Sequence, residues 1–356
     1  MKRANVRIKD IAEKAGISTG TVDRVLHNRG RVSEAVRQRV LKIAKDLNYE
    51  PNLLARALVS NRSYHIAALI PDPAVDDYWQ APKEGIEKAG VELKQYGVGI
   101  TQFIFDPRKV SSFRDMADSI SETDFDGILI APIFYRESLS YFNKWKRHSV
   151  PFILFNTQVA DYEPLSYIGQ DSYQSGYLAA KLMHYGHSRP VSLLIAHIDE
   201  DILNSSHLIK KEQGFADYFA QNTPPDAYQI IQADLQDCDD KKICAGQLDK
   251  LLADNPGIKG IFVTNSKSNV IADYLNSRQI KDIHLIGYDL MSKNLHFLEQ
   301  GVIHFLINQN PKGQGYHGIH AFADHLIFNK KVSAIKYLPL DIITKENLHY
   351  YIEADL

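Results

Sequence analysis

Cysteine is scarce in this chain: 2 residues in 356, Cys238 and Cys244. That scarcity excludes a disulfide-stapled scaffold and agrees with a reducing, cytoplasmic compartment. Long apolar runs are missing too; no stretch reaches about 18 residues, so no membrane-spanning helix and no membrane partner are expected. Met1-Lys2-Arg3-Ala4-Asn5-Val6-Arg7 is charged but leads into no apolar segment, so no secretory signal is expected. Also missing are a Gly-x-Ser-x-Gly elbow, a Gly-x4-Gly-Lys phosphate loop and a His-Glu-x2-His run. Cys238 and Cys244 have no histidine pair nearby, which argues against zinc. Of His317, His320 and His325, only the first two share a helix face, and no carboxylate joins them at ligand spacing. Neither a metal nor a cofactor is expected.

What remains is 44% hydrophobic residue, enough for folded cores, in a length that suits two or three domains of about 100–200 residues. The formal net charge of -2 conceals a split. Residues 1–62 carry 14 Lys and Arg against 6 Asp and Glu; the remainder carries 27 against 37. A basic head on an acidic body is expected where one end meets a polyanion, although a merely solvated basic surface has the same composition.

Pattern separates these readings. Ile8, Ile11, Ala12 and Ala15 form one helical stripe, Gly16 breaks it, and the Ser18 hydroxyl is placed to cap a second helix burying Val22, Val25 and Leu26. Ser33 then caps a third, with Val36, Val40, Ile43, Ala44 and Leu47 on one face. Helix, glycine turn, helix is the plan whose second helix enters the DNA major groove.

From Tyr64 onward, short apolar runs alternate with helical patterns. Ile66–Ile70, Gly127–Ile130, Phe152–Phe155, Ser192–Ile195, Gly260–Val263 and His284–Gly287 read as buried strands. Such alternation means parallel sheets flanked by helices, and the length favours two similar lobes. Ligands of these sheets sit beyond the strand C-termini. There the chain supplies Asp72, Tyr78 and Trp79, then Asp171, Asn265 and Asp289. Aromatic rings with carboxylates and amides suit a polyhydroxylated ligand. Tyr78 and Trp79 could equally be ordinary helix packing, and an Asp at a strand end is often a helix cap.

Val6 to Ser18, Thr21 to Asn28 and Leu47 to Leu58 together resemble the DNA-binding head of the lactose-repressor (LacI/GalR) family, without a gap. The resemblance implies that Thr19, Gly20 and Arg24 read bases and that His27 and Asn28 hold phosphates. Asp23 departs from the family's Ser; it either accepts from cytosine or repels phosphate. Asn52 to Leu58 resembles the family's hinge helix, with Leu58 as a minor-groove wedge, though Leu54 and Leu58 would also serve as a packed linker face.

The body resembles the family's effector domain, of the type I periplasmic-binding-protein fold. That implies ligand contacts by Asp72, Tyr78, Trp79, Asp171, Asn265, Asp289 and Gln309, and by Lys211 where the family usually has Arg. Lysine lacks the planar two-pronged clamp.

The expected organisation is an all-α helix-turn-helix head (1–50), a hinge (51–62) and a two-lobed α/β domain (63–350). The first lobe would comprise about 63–164 and 291–335, the second about 165–290 and 336–350. The expected function is a homodimeric regulator on the nucleoid, bound to a near-palindromic double-stranded DNA operator and controlled by a carbohydrate effector. An exported solute-binding protein or a sugar-active enzyme with paired carboxylates would share the body but leave the basic head without a role.

Overall fold

The computed structural model describes residues 6–26, 30–47, 49, 62–159, 162–187, 189–200, 205–225 and 227–353. The chain divides into two compact units, residues 1–61 and 62–356.

In the first unit, α1 (Ile8–Ala15), α2 (Thr19–Leu26) and α3 (Glu34–Asp46) enclose Ile11, Val22 and Val40, all fully buried. Gly16 ends α1 in the left-handed conformation, φ +67°. The Ser18 hydroxyl accepts the Thr21 N–H at 3.2 Å and so caps α2. Ser33 takes the corresponding place before α3, but with its carbonyl, which accepts Arg37 N–H at 3.0 Å; its hydroxyl makes no capping bond. The hinge expected over 51–62 lies, but for its last residue, outside the described residues.

The second unit begins with β1 (Tyr64–Pro71), α4 (Gln80–Leu93), β2 (Val98–Phe105), α5 (Val110–Ser121), β3 (Gly127–Ile130), α6 (Tyr135–Arg147), β4 (Phe152–Phe155) and β5 (Ser166–Gly169). It continues through α7 (Ser172–Tyr185), β6 (Ser192–Ile198), α8 (Ser206–Asn222), β7 (Gln229–Leu235), α9 (Lys241–Asp254), β8 (Ile258–Val263), α10 (Ser268–Ser277) and β9 (His284–Tyr288). Then follow α11 (Ser292–Glu299), β10 (Phe305–Asn308), α12 (Pro311–Leu326), β11 (Ile335–Tyr337), β12 (Asp341–Ile343) and α13 (Leu348–Glu353).

These strands make two six-stranded sheets, ordered β11-β5-β4-β3-β1-β2 and β12-β10-β9-β8-β6-β7. Pairing is parallel except for β12, which runs antiparallel to β10. β3, β4 and β5 are buried at every residue, as strands covered on both faces must be.

The sheets correct the expected lobe boundaries. β5, expected in the second lobe, pairs with β4 in the first sheet; β10, expected in the first lobe, pairs with β9 in the second. β11 and β12 then divide between the lobes. The chain therefore crosses between lobes three times, after β5, after β10 and after β11. Apolar runs show that strands exist; which sheet a short strand joins depends on pairing, which periodicity does not encode.

In each lobe one helix pair crosses through glycine. A Cβ on Gly85 of α4 would lie 2.0 Å from the Lys312 carbonyl oxygen of α12. A Cβ on Gly176 of α7 would lie 1.9 Å from the Lys211 carbonyl oxygen of α8, and one on Gly214 would lie 2.0 Å from that of Tyr173. The second crossing fixes the depth at which α8 sets Lys211.

Candidate functional site

Two sites follow from these elements. In the helical unit, Thr19, Gly20 and Arg24 are exposed on α2, and Asp23 is half-buried on it. Arg24 lies along its own helix, Nε donating to Gly20 O at 3.2 Å and Nη2 to Thr21 Oγ1 at 3.5 Å. Asp23 acts electrostatically on Tyr49, whose hydroxyl is pushed up by burial first and by Asp23 second. Asp23 thus has a partner within its own unit, a role the sequence did not suggest. His27, Asn28, Asn52 and Leu58 lie outside the described residues.

The second site is a cavity of about 710 Å³ between the two lobes, lined by strand-end loops and the start of α8. Of the eight residues expected there, Tyr78, Trp79, Lys211, Asn265, Asp289 and Gln309 line it. Asp72 and Asp171 do not, and both expectations are corrected. Asp72 closes its own turn by accepting Ala74 N–H at 2.9 Å. Asp171 is the N-cap of α7, accepting Gln174 N–H at 3.1 Å.

Tyr78 and Trp79 sit edge to face at 5.0 Å, on a single 3-10 turn, Asp77–Trp79. Trp79 also meets Phe155 at 6.1 Å, and both residues belong to the apolar core of the first lobe. The pair therefore serves packing and cavity wall together. Tyr78 is oriented by Asn156, whose Nδ2 donates to its hydroxyl at 2.7 Å.

Lys211 is buried, at 1% exposure. Its ammonium donates to Thr264 O at 2.8 Å and Gln309 Oε1 at 3.3 Å, and lies 3.6 Å from the Tyr288 ring centroid. Burial pulls its pKa down to about 7, against the opposing pull of Asp289 and Glu200. Burial likewise raises Asp289 to about 6, although Lys211 and the Gln309 backbone and side-chain amides favour its charged form. Gln309 also takes the Gln170 amide on its Oε1. Gln170 and Gln309 stand on the first two lobe crossings, so this contact ties those crossings together.

Other lining residues were not foreseen. Asn156, Asp199 and Asp289 directly follow β4, β6 and β9, with φ of +64°, +52° and +63°. Asn and Asp tolerate this left-handed region better than other non-glycine residues. An Asn or Asp immediately after an apolar strand was thus a readable signal for Asn156 and Asp199. Glu200 accepts Asn265 Nδ2 at 3.2 Å, and Asp76 accepts Tyr78 N–H at 3.1 Å. Burial raises both carboxyls. His207 is driven down to about 3, by burial first and Lys211 second, so it is neutral beside Thr157 Oγ1 at 3.3 Å.

Two further contacts cross from lobe to lobe. Arg108 Nη2 donates to Asp239 at 2.8 Å at the exposed rim, and Lys210 Nζ donates to Gln158 Oε1 at 3.4 Å. Chemically the cavity offers an aromatic wall, poorly hydrated carboxyls and oriented amides. This set binds paired hydroxyls through hydrogen bonds and a flat apolar face through rings.

Comparison with known proteins adds context to both sites. Residues 7–52 match the lacI family of bacterial regulatory proteins, and residues 66–331 match the periplasmic binding protein domain. The chain is 31% identical over 183 residues to the HTH-type transcriptional regulator DegA of Bacillus subtilis, covering 51% of this chain and 52% of that one. It therefore spans about half the length of that relative. The sucrose operon repressor of Streptococcus mutans is 27% identical over 82% of this chain and 84% of its own. A crystal structure described as that of a LacI transcriptional regulator from Bacteroides fragilis superposes with a TM-score of 0.75, at 30% identity, over 82% of this chain and 100% of that one.

Proposed function

The chain belongs to the LacI family of bacterial regulatory proteins, and from that premise we propose that it represses transcription by binding an operator that a small polyhydroxylated effector controls. The observation that carries this reading is the joining of two sites in one chain: a helix-turn-helix unit with exposed Thr19, Gly20 and Arg24, and a cavity walled by Tyr78 and Trp79 with amides and buried carboxyls. A carbohydrate suits that cavity. Asp289, Asn265, Glu200 and Asn156 take hydroxyls, Tyr78 and Trp79 take the apolar face, and Lys211 and Gln309 hold Asp289 in place.

On DNA, Arg24 exchanges its internal bonds for base acceptors, and each good bidentate pair gives about 1–3 kcal/mol of discrimination. Two copies bind a near-palindromic site, because two-fold protein symmetry demands two half-sites. Leu58 wedges the minor groove between them, with His27, Asn28 and Asn52 on the backbone. The effector favours one arrangement of the lobes. Its leverage on operator affinity equals its difference in affinity for the two arrangements, typically about 1–3 kcal/mol.

A thermal-shift screen against sugars and nucleobases, followed by gel shift with each hit, tests the whole reading. At least one sugar raises the melting point by mass action and changes operator affinity about 5- to 150-fold. Hits confined to nucleobases reject the carbohydrate assignment, and a sugar that binds without altering operator affinity rejects the coupling. Leu58→Ala weakens operator binding and leaves sugar binding intact; unchanged operator affinity removes the wedge.

A further inference from the structure

The only two cysteines of the chain are spent on neither site above, yet the fold brings them together. Cys238 follows β7 in the loop that enters α9, and Cys244 lies in the first turns of α9; their Sγ atoms are 2.7 Å apart. Both are buried, at 5% and 3% exposure. A disulfide needs about 2.05 Å between sulfurs, so bonding here requires only a small movement of the side chains. Two buried thiols would fill an apolar core equally well elsewhere in the lobe. Their placement matters because of what the loop carries: Gln236, Asp237, Asp239 and Asp240 all line the effector cavity. Asp239 holds Arg108 across the rim, and the Cys238 N–H donates at 2.9 Å to Asp199, itself a cavity residue.

We infer that Cys238 and Cys244 form a reversible intramolecular disulfide on exposure to a two-electron oxidant of the peroxide class, and that its formation stiffens one wall of the effector cavity. Cys244 is the attacking thiol. It sits near the positive end of α9 and accepts a hydrogen bond from Cys238, which holds its pKa below the ordinary thiol value, while the same bond raises that of Cys238. In the first step the Cys244 thiolate attacks one peroxide oxygen. The O–O bond breaks, hydroxide leaves, and Cys244 becomes a sulfenic acid. In the second step the Cys238 sulfur attacks the Cys244 sulfur, and the S–O bond breaks. The departing hydroxyl takes the Cys238 proton and leaves as water. Two thiols lose two electrons and two protons in all, and one peroxide becomes two waters. Dithiol reductants reverse the reaction by thiol–disulfide exchange.

The disulfide locks the turn that presents Asp239 to Arg108 and fixes the Cys238 amide against Asp199. Because both sulfurs are buried, oxidation needs the loop to open.

The full-length reduced protein is treated with hydrogen peroxide, quenched, denatured, alkylated and weighed. Alkylatable thiols fall from two per chain to none, with a mass loss of two hydrogens and no added oxygen, and dithiothreitol restores both. Cys238→Ser and Cys244→Ser each keep one thiol and form no intramolecular bond. Where serine unfolds the chain, alanine at the same buried position replaces it. Two thiols still alkylated after peroxide, oxygen adducts on either sulfur, or a bond formed only between chains would each overturn the site. Hydrogen exchange of the segment 236–244 and of Asp199 tests the second clause. Protection rises severalfold in the oxidised protein, and identical exchange in both states overturns the link to the cavity. Neither measurement involves DNA or sugar, so failure here leaves the regulatory reading intact, and failure of that reading leaves the thiol chemistry intact.

Discussion

Lys211 and Asp289 share one buried pocket, and burial opposes the charge of each, so both protonation equilibria are linked to folding. An unfolded lysine titrates near 10.4, whereas Lys211 is pulled down to about 7. Between those values the unfolded chain binds more protons, and stability rises with pH. Asp289 works the other way. Raised to about 6 from the usual carboxylate value of roughly 3.9, it makes stability fall as pH climbs through about 4 to 6. Lys211→Met should remove the alkaline gain: the wild-type melting point, less that of the variant, increases between pH 7 and 10, and a flat difference refutes the assignment. Trp79→Ala should abolish sugar-induced melting shifts, and undiminished sugar affinity removes Trp79 from the site. At this scale residue type and family position together put Tyr78, Trp79 and Asp289 on the cavity wall, but they were not sufficient, since Asp72 and Asp171 had both and lie off it. For Asp171 the plainer of the two readings, a helix cap, is the one the structure shows. Glu200 and His207 stayed hidden because their character comes from burial by parts of the chain distant in sequence.

Among elements, the glycine crossing of α7 on α8 is the tightest constraint near the site. Gly176→Ala drives a methyl against the backbone that carries Lys211, and overpacking of this kind costs about 1–3 kcal/mol. Gly246→Ala, on an exposed turn of α9 where a Cβ meets nothing within 4 Å, should stabilise by about 0.5–1 kcal/mol. Chemical denaturation of the two variants reads both signs. Helices of the head and the long apolar strands could be read from stripe and run. β11 could not: Ile335, Lys336 and Tyr337 are all exposed at the edge of their sheet and form no apolar run. The misplaced lobe boundaries have a different cause: β5 and β10 are interior strands, and periodicity does not tell which sheet a short strand pairs into.

For the whole molecule, charge and closure can be tested separately. Operator affinity should fall with salt at a log–log slope of about -0.9 per phosphate contacted, and a flat response excludes the basic head from DNA. The Arg108–Asp239 contact spans the cavity rim between two largely exposed side chains. Exposed pairs are worth about 0–1 kcal/mol, so Arg108→Ala should weaken sugar affinity about fivefold at most; a larger loss would give Arg108 a direct part in binding. The three lobe crossings have a further consequence, for the order in which a nascent chain can fold. The first lobe begins at Tyr64, but its core needs Ile319 and Phe322 of α12, which are made only after nearly all of the second lobe. Domains usually fold as they emerge, the N-terminal one first. Here the lobe that is begun first is finished late, and a ribosome halted before Pro311 holds a sheet with one apolar face covered by α4 alone.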